Sequence, residues 1–297
     1  MSQFGIVKWA VRALATAFLC SVASAQWISV KVPGTPRLKD GKADLSAPTP
    51  RTADGKPDLS GIWEFYLWSR DNFRTIVASP SPEAAAAAAS NTPGPGAAGG
   101  AQQSGGGGAF SRVLKKGDKV VLQPEAEAIY KEHLAKNGAG LPSQYCLPHG
   151  PPAGLMIPIP FKILQTPNEV AILFEEFNYY RQIHTDGRDH PVDPTPSWYG
   201  YSVGKWEKDT LAVDTTGYND ISWLDAAAYP HSDALHTIER ITRKDFGHMD
   251  VAITIDDPKA YTRPWTVIEP AVYQPDTELI EYICEENNKD PQHIVGK

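Results

Sequence analysis

The densest group of side chains able to do acid–base or metal chemistry lies in one short segment, from His184 to His190. A turn at its glycine would bring His184, Asp186 and His190 together at a hairpin tip. Two imidazoles and a carboxylate can bind zinc or iron, or act as a general base with its orienting group. The alternative is a solvated turn in which Asp186 caps the backbone and Arg188 pairs with an acid. The spacing does not identify a metal.

A second polar group, formed by His231, His236, Glu239 and Arg240, lies just before and within a predicted strand that begins at Leu235. His236 and Arg240 would share one face of this strand, whereas Glu239 would lie on the other. A histidine at a barrel mouth could serve as a general base. The alternative is an outward polar face or a structural histidine. Any chemistry is therefore expected to run through the His184–His190 segment together with His236.

Aromatic side chains near predicted loops and strand ends could line an apolar pocket with a few polar tips. The candidate ligand-binding residues are Trp63, Trp198, Tyr199, Trp223, Tyr261 and Trp265. For each of them the alternative is ordinary packing in a β-sheet core. The expected ligand is a small apolar or aromatic molecule, and the sequence leaves its identity and any cofactor open.

The elements that must position these residues are strands. From residue 160 onward, short runs rich in β-branched and aromatic residues alternate with turn signals. The predicted strands are Lys162–Thr166, Glu169–Phe177, Tyr179–Thr185, Gly200–Trp206, Thr210–Thr215, Leu235–Lys244, Met249–Asp256, Trp265–Glu269 and Leu279–Cys284. Another strand opens at Gly61, and the best helix candidate runs from Pro124 to Lys136. Because neighbouring runs are close in sequence, we expect antiparallel hairpins. The predicted fold is mainly β, an antiparallel lipocalin-like barrel or a curved sandwich with minor helices.

Composition divides the chain into unequal parts. Residues 1–25 combine two basic residues, an apolar run and the sequence Ala23-Ser24-Ala25, which predicts a cleaved signal peptide. Residues 26–60 contain an imperfect repeat with Asp-Gly turns and are expected to form an extended strap. Residues 61–297 would form one β domain. Within it, residues 79–109 are rich in alanine, proline and glycine, which predicts a disordered insertion.

Charge and cysteine usage narrow the class of protein further. Removing Lys8 and Arg12 from 28 basic residues leaves 26 against 35 acidic ones, which argues against a nucleic-acid partner. No second apolar run reaches transmembrane length, so we expect no stable membrane insertion after cleavage and a periplasmic or secreted location. Cleavage would leave Cys146 and Cys284 as a pair, which predicts one disulfide in an oxidising compartment. The alternative is two unrelated buried thiols.

Two resemblances add expectations. The motif Gly61-Ile62-Trp63 at the first strand resembles the calycin group of lipocalin-like barrels, which implies that Trp63 closes one barrel end and that a small apolar ligand is held. Phrases such as Asp58-Leu59-Ser60-Gly61-Ile62-Trp63, Gly200-Tyr201-Ser202-Val203-Gly204-Lys205-Trp206-Glu207 and Glu281-Tyr282-Ile283-Cys284-Glu285-Glu286-Asn287 are similar to a large, uncharacterised family of exported bacterial proteins. That similarity implies a reused domain and no particular activity.

These observations favour an exported small-molecule-binding barrel. The alternative is an enzyme, a hydrolase, lyase or isomerase, that uses histidine and aspartate in the same pocket. A third hypothesis is an envelope interaction protein that uses the strap and the insertion. The sequence contains no G-x-S-x-G, Walker, dinucleotide, H-E-x-x-H or CxxCH motif.

Overall fold

The computed structural model describes residues 30–65, 114–136, 139–150, 154, 157, 159–225 and 228–286. The predicted signal peptide, the first residues of the strap and the low-complexity insertion lie outside these ranges. The regular elements are β1 (Gly61–Phe65), α1 (Pro124–Ala135), β2 (Phe161–Gln165), β3 (Glu169–Phe174), β4 (Tyr180–His184), β5 (Tyr201–Glu207), β6 (Thr210–Thr216), β7 (His236–Arg243), β8 (His248–Asp256) and β9 (Trp265–Tyr273). Single 3-10 turns lie at Pro142–Tyr145 and Glu176–Asn178.

The nine strands form a closed barrel in chain order, and β9 returns to pair with β1. The prediction of a mainly β barrel is confirmed, and the predicted helix is confirmed as α1. In a closed ring of strands, directions can alternate throughout only when the number of strands is even. Nine strands therefore require one parallel pair, which is β4 with β5.

The expected antiparallel pairing forms the rest of the barrel, and β4 with β5 is the exception. A parallel pair needs a connection that returns along the sheet, usually a dozen or more residues long. Residues 185–200 provide it on the outer face of the barrel. The backbone N–H of Ser197 donates to the Gly217 carbonyl at 3.0 Å, and His190 Nε2 lies 2.8 Å from Asp214 Oδ1. We call residues 185–200 the crossover.

The predicted last strand, Leu279–Cys284, is also wrong: residues 277–286 contain no strand. Instead of joining a ladder, this tail is held by side-chain hydrogen bonds to the turn between β3 and β4. The Ile280 N–H donates to Glu175 Oε2 at 3.2 Å, and the Asn178 side chain donates to the Tyr282 carbonyl at 3.0 Å. The disulfide predicted between Cys146 and Cys284 is confirmed and anchors the tail covalently.

Alternate residues of each strand face a single core inside the barrel, as the two-residue period of a β-strand requires. The end of the barrel at which β1 begins is closed by an end plug of Leu59, Trp63, Arg243, Phe246 and Tyr273. Trp63 is fully buried and donates from Nε1 to the Leu59 carbonyl at 3.0 Å. The guanidinium of Arg243 lies 4.8 Å from the Trp63 ring centroid and also donates to backbone carbonyls, including that of Phe246.

The two copies of the sequence repeat in the strap form two equivalent loops at the plugged end of the barrel. In each copy an arginine donates to the carbonyl of the turn glycine and pairs with an aspartate in a barrel turn. Arg37 pairs with Asp276, just after β9, and Arg51 pairs with Asp209, between β5 and β6. The repeat therefore holds two separate turns at this end, the one between β5 and β6 and the one that follows β9. No helix within the described residues is long and apolar enough to span a membrane.

The plug predicts that Arg243→Lys destabilises the protein by about 2–4 kcal/mol, because an ammonium cannot replace the guanidinium fork or its stacking on Trp63. The matched control is Arg240→Lys on the same strand, where the side chain is half exposed and pairs with Glu207. That change should cost less than about 1 kcal/mol. Urea unfolding measures both, and equal losses would contradict the role given to the plug.

Candidate functional site

The weakest junction in the barrel wall is the β4–β5 seam, where only Ile183 with Ser202 and His184 with Val203 are in register. Beyond these pairs the two strands diverge. The opening is a groove of about 380 Å³ lined by residues 179–182, 184 and 197–202. We call it the seam groove. Its walls come from β4, from the last residues of the crossover and from the start of β5.

Aromatic rings dominate the walls of the seam groove. Tyr199 stacks on Phe174 with ring centroids 5.1 Å apart, and Tyr180 stands on the rim with 64% of its surface exposed. Burial raises the pKa of Tyr199 well above its ordinary value, so its hydroxyl stays protonated. The His184 ring lies 5.1 Å from that of Tyr201. The groove therefore combines flat apolar surfaces with hydroxyl and imidazole tips.

Behind the groove, inside the barrel, lies a buried ion pair. Arg181 forms two hydrogen bonds with the Glu239 carboxylate, at 2.8 and 3.0 Å, and both side chains are almost wholly buried. The guanidinium also donates to the hydroxyls of Ser202 and Thr215. Burial opposes the charge of Arg181, but the facing carboxylate outweighs burial and raises the pKa of Arg181. This network ties β4, β5, β6 and β7 together directly beneath the seam.

A second glutamate inside the barrel has no such partner among the residues that the structure describes. Glu269 on β9 is fully buried, and neither of its carboxylate oxygens accepts a hydrogen bond from any of these residues. Its strand neighbours facing the core are Val267 and Ala271, and Val251 lies opposite it on β8. Burial in these apolar surroundings raises the pKa of Glu269 to about 8. The carboxyl group is therefore mostly protonated at neutral pH.

The histidines predicted to do chemistry lie on the outer face of the barrel. His190 Nε2 is 2.8 Å from one oxygen of Asp214, and His236 Nε2 is 3.1 Å from the other. His184 is not part of this contact but lies beside Tyr201, whose ring is also 6.0 Å from that of His190. Among the described residues, no group of three or more His, Cys, Asp or Glu side chains is arranged to hold a metal ion.

Asp186 and Arg188 bind each other at the start of the crossover. The Arg188 guanidinium donates to both Asp186 oxygens, and the Arg188 backbone N–H donates to Oδ1. The guanidinium holds the pKa of Asp186 at about 2, so this carboxylate is not a base at neutral pH. This is the solvated turn that the sequence analysis gave as the alternative to a catalytic role. Glu239, the remaining acid–base candidate, is the buried partner of Arg181.

The six predicted aromatic ligand contacts separate into two groups. Trp198 and Tyr199 line the seam groove. The other four pack elsewhere: Trp63 in the end plug, Trp223 against His133 of α1 at 3.9 Å, and Tyr261 edge-on to Trp265 at 5.4 Å. Tyr261 also donates its hydroxyl to the Pro230 carbonyl.

Two charged residues inside the barrel, Arg181 and Glu269, were missed in the sequence, although a signal existed. Alternation along β9 places Glu269 on the face of Trp265, Val267 and Ala271, a core face by composition. The same alternation places Arg181 on the face of the buried Ile183. A charged residue in phase with buried apolar residues is the pattern that identifies both.

Comparison with protein-family models, with curated proteins and with solved structures found no match to this chain.

Substitutions of Arg181 and Glu239 should have non-additive effects on the free energy of unfolding, because the two side chains form a buried ion pair. Arg181→Met leaves Glu239 buried without a cation and should cost about 3–5 kcal/mol of stability. Adding Glu239→Leu should recover most of that loss, because no uncompensated charge remains. Urea unfolding of the two single variants and the double variant measures the coupling. The exposed pair Arg51 and Asp209 is the control, and its removal should cost less than about 1 kcal/mol. Additive losses for Arg181 and Glu239 would contradict the interpretation.

Glu269 predicts a pH-dependent gain of stability on substitution. Its pKa is about 8 in the folded protein against 4.5 for an ordinary glutamate, so the folded state binds more protons between these values. Stability is therefore lost as pH rises from 4.5 to 8. Glu269→Gln removes this loss and should stabilise the protein by on the order of 4 kcal/mol at about pH 8, and by little at about pH 4.5. Urea unfolding at both pH values checks this, with the exposed Glu278→Gln as control. A gain independent of pH would disprove it.

Proposed function

We propose that the protein binds a small aromatic molecule in the seam groove. The observation that carries this proposal is the divergence of β4 and β5, which exposes a concave surface of tyrosine and tryptophan side chains. A volume of about 380 Å³ falls at the lower end of the range of small-molecule sites. Such a groove accepts one or two fused rings rather than a lipid chain or a peptide.

The side chains around the groove indicate where each part of the ligand would lie. The rings of Tyr180, Trp198 and Tyr199 offer faces and edges for offset or edge-on contact with a planar ligand. Gln182 and His184 supply polar tips on the β4 side, where they would bind a hydroxyl, carbonyl or carboxylate group. The ligand class is therefore a planar ring with one polar substituent.

The lipocalin-like resemblance implies a ligand held inside the barrel. The filled interior of this barrel favours binding in the seam groove instead. Packed core side chains and the Arg181–Glu239 pair occupy the interior, and the end plug closes one end. We therefore place the ligand at the wall of the barrel. The proposed relation to calycins rests on Trp63, which closes an end of the barrel.

We also propose that the protein acts outside the cytoplasm. The Cys146–Cys284 disulfide supports this, because such bonds persist mainly in oxidising compartments. The apolar segment preceding Ala25 in the sequence agrees with it.

The groove predicts that Trp198→Ala weakens binding of a planar aromatic ligand at least about tenfold, because it removes one stacking wall. Isothermal titration calorimetry with a panel of benzoates, phenols and naphthols measures affinity for the parent and the variant. The matched control is Tyr145→Ala, an aromatic residue half exposed near the disulfide and absent from the groove lining. Equal affinity of the parent and Trp198→Ala for every bound compound would refute the groove as the site.

A further inference from the structure

The connection between β6 and β7 folds back on itself and brings two distant residues together. The Leu224 N–H donates to the Tyr229 carbonyl at 2.8 Å, and Trp223 forms an antiparallel bridge with Pro230. Continuing this register outward by one residue places Ser222 opposite His231. Because side chains alternate along such a pair, Ser222 and His231 point to the face opposite Trp223.

The contact between Ser222 and His231 has the geometry of an activated hydroxyl. Ser222 Oγ lies 2.7 Å from His231 Nε2, and His231 Nδ1 lies 3.1 Å from the Ser232 carbonyl oxygen. A carbonyl oxygen only accepts, so the ring proton is on Nδ1 and Nε2 is the acceptor for the serine hydroxyl. Burial lowers the pKa of His231, which keeps the ring neutral at neutral pH.

A buried carboxylate fixes the carbonyl that orients the imidazole. Asp257 accepts the Ser232 backbone N–H at 2.6 Å and the Ser232 hydroxyl at 2.7 Å. Asp257 is only 1% exposed. It is a positioning residue, because it holds Ser232 in place, and Ser232 sets the tautomer and orientation of His231. The order is nucleophile, base and orienting group, with a backbone carbonyl in the third role.

The surroundings of Ser222 connect it to the wall of the seam groove. A Cβ atom added to Gly150 would lie 2.5 Å from Ser222 Oγ and 3.2 Å from the Trp198 carbonyl oxygen. Gly150 also has a φ of +69°, which favours glycine. The glycine backbone therefore approaches the hydroxyl closely where any side chain would displace it. Trp198, on the other side, lines the groove.

We propose that Ser222 and His231 are a nucleophile and general base for acyl transfer, acting on a small ester whose ring lies in the seam groove. The choice of substrate rests on the proposed function, whereas the reactivity of Ser222 does not. Ser222 and His231 are 4% and 8% exposed, so the hydrogen bond between them is shielded in the resting protein.

The proposed reaction needs only the ester and water. Ser222 Oγ forms a bond to the ester carbonyl carbon while its proton passes to His231 Nε2. The tetrahedral intermediate then expels the alcohol, which takes that proton, and leaves an acyl-serine. Water attacks the acyl carbon and gives one proton to His231. Release of the carboxylic acid returns this proton to Ser222 Oγ and regenerates the neutral pair.

We call Ser222 and His231 the dyad. It is tested by reacting the full, disulfide-bonded chain with diisopropyl fluorophosphate and mapping the modified peptides. We expect one phosphoryl adduct, on Ser222. Ser222→Ala should give none, and His231→Asn should react at least about 100-fold more slowly, the usual contribution of a general base. Ser46→Ala is the control, because the Ser46 hydroxyl donates to a carboxylate and lies exposed on the strap. This variant should react like the parent.

A cysteine variant keeps the test valid if Ser222→Ala fails to fold. Ser222→Cys places a thiol against His231 Nε2, where transfer of its proton to the ring favours the thiolate. Iodoacetamide should then alkylate it at least about tenfold faster at about pH 6 than it alkylates glutathione. No adduct on the folded parent, an adduct on another serine, or an undiminished rate in His231→Asn would each overturn the dyad. So would an unreactive thiol in the folded Ser222→Cys protein.

The ligand titration separates the two proposals. Modification of Ser222 without saturable binding of any aromatic compound supports the dyad and refutes the groove as its substrate site. Binding without modification supports the groove and refutes the dyad. When both occur, a bound benzoate should slow the modification of Ser222 several-fold, because it would occupy the approach past Trp198. Unchanged labelling under saturating benzoate would refute the shared site.

Discussion

The architecture depends on a constraint of parity: a ring of nine strands cannot alternate in direction all the way round. One junction must be parallel, and its connection must travel from one end of the barrel to the other. This requirement creates the crossover, and the crossover brings Trp198 and Tyr199 to the barrel wall. This junction, the seam, has the shortest ladder of any strand pair in the barrel, with two residue pairs in register. The groove is therefore a by-product of closing an odd barrel.

The polar network beneath the seam compensates for that short ladder. Where β4 and β5 share few backbone hydrogen bonds, the Arg181 guanidinium reaches Ser202 on β5, Thr215 on β6 and Glu239 on β7. A guanidinium offers five donors in fixed directions, so one side chain can join several strands. The cost is the desolvation of both charges, which offsets much of their mutual attraction.

Much of the fold was predictable because its signals are local. Alternation and turn residues located β2 to β8 within a few residues, and Pro124 with the acids that follow it located α1. The end of β9 was missed because the strand continues through Pro270, a residue that usually interrupts strands. The segment Leu279–Cys284 has a strand-like composition, but all strand edges of the closed barrel are already paired.

The candidate sites were less predictable, because they depend on contacts between distant segments. His190 and His236 come close only because the crossover lies over β6, where each ring nitrogen lies near one oxygen of Asp214. Ser222 and His231 are brought together beside an isolated β-bridge within the irregular connection between β6 and β7. No sequence motif predicts this contact. The aromatic residue types predicted a pocket with aromatic walls. The course of the chain after β4 determines that Trp198 lines the seam groove, and Trp265 does not line it.

The disulfide has a topological consequence. Cys146 and Cys284 are separated by 138 residues, and the covalent ring that they close contains β2 to β9. The strap, β1 and α1 lie outside this ring. A cut at any turn within the ring leaves the eight strands in one covalent piece, whereas a cut between β1 and Cys146 releases the first strand as a separate chain. The protein is thus a covalently closed body of eight strands, to which β1 is joined by one uncrosslinked stretch of chain, and Trp63 is the side chain that β1 inserts into that body.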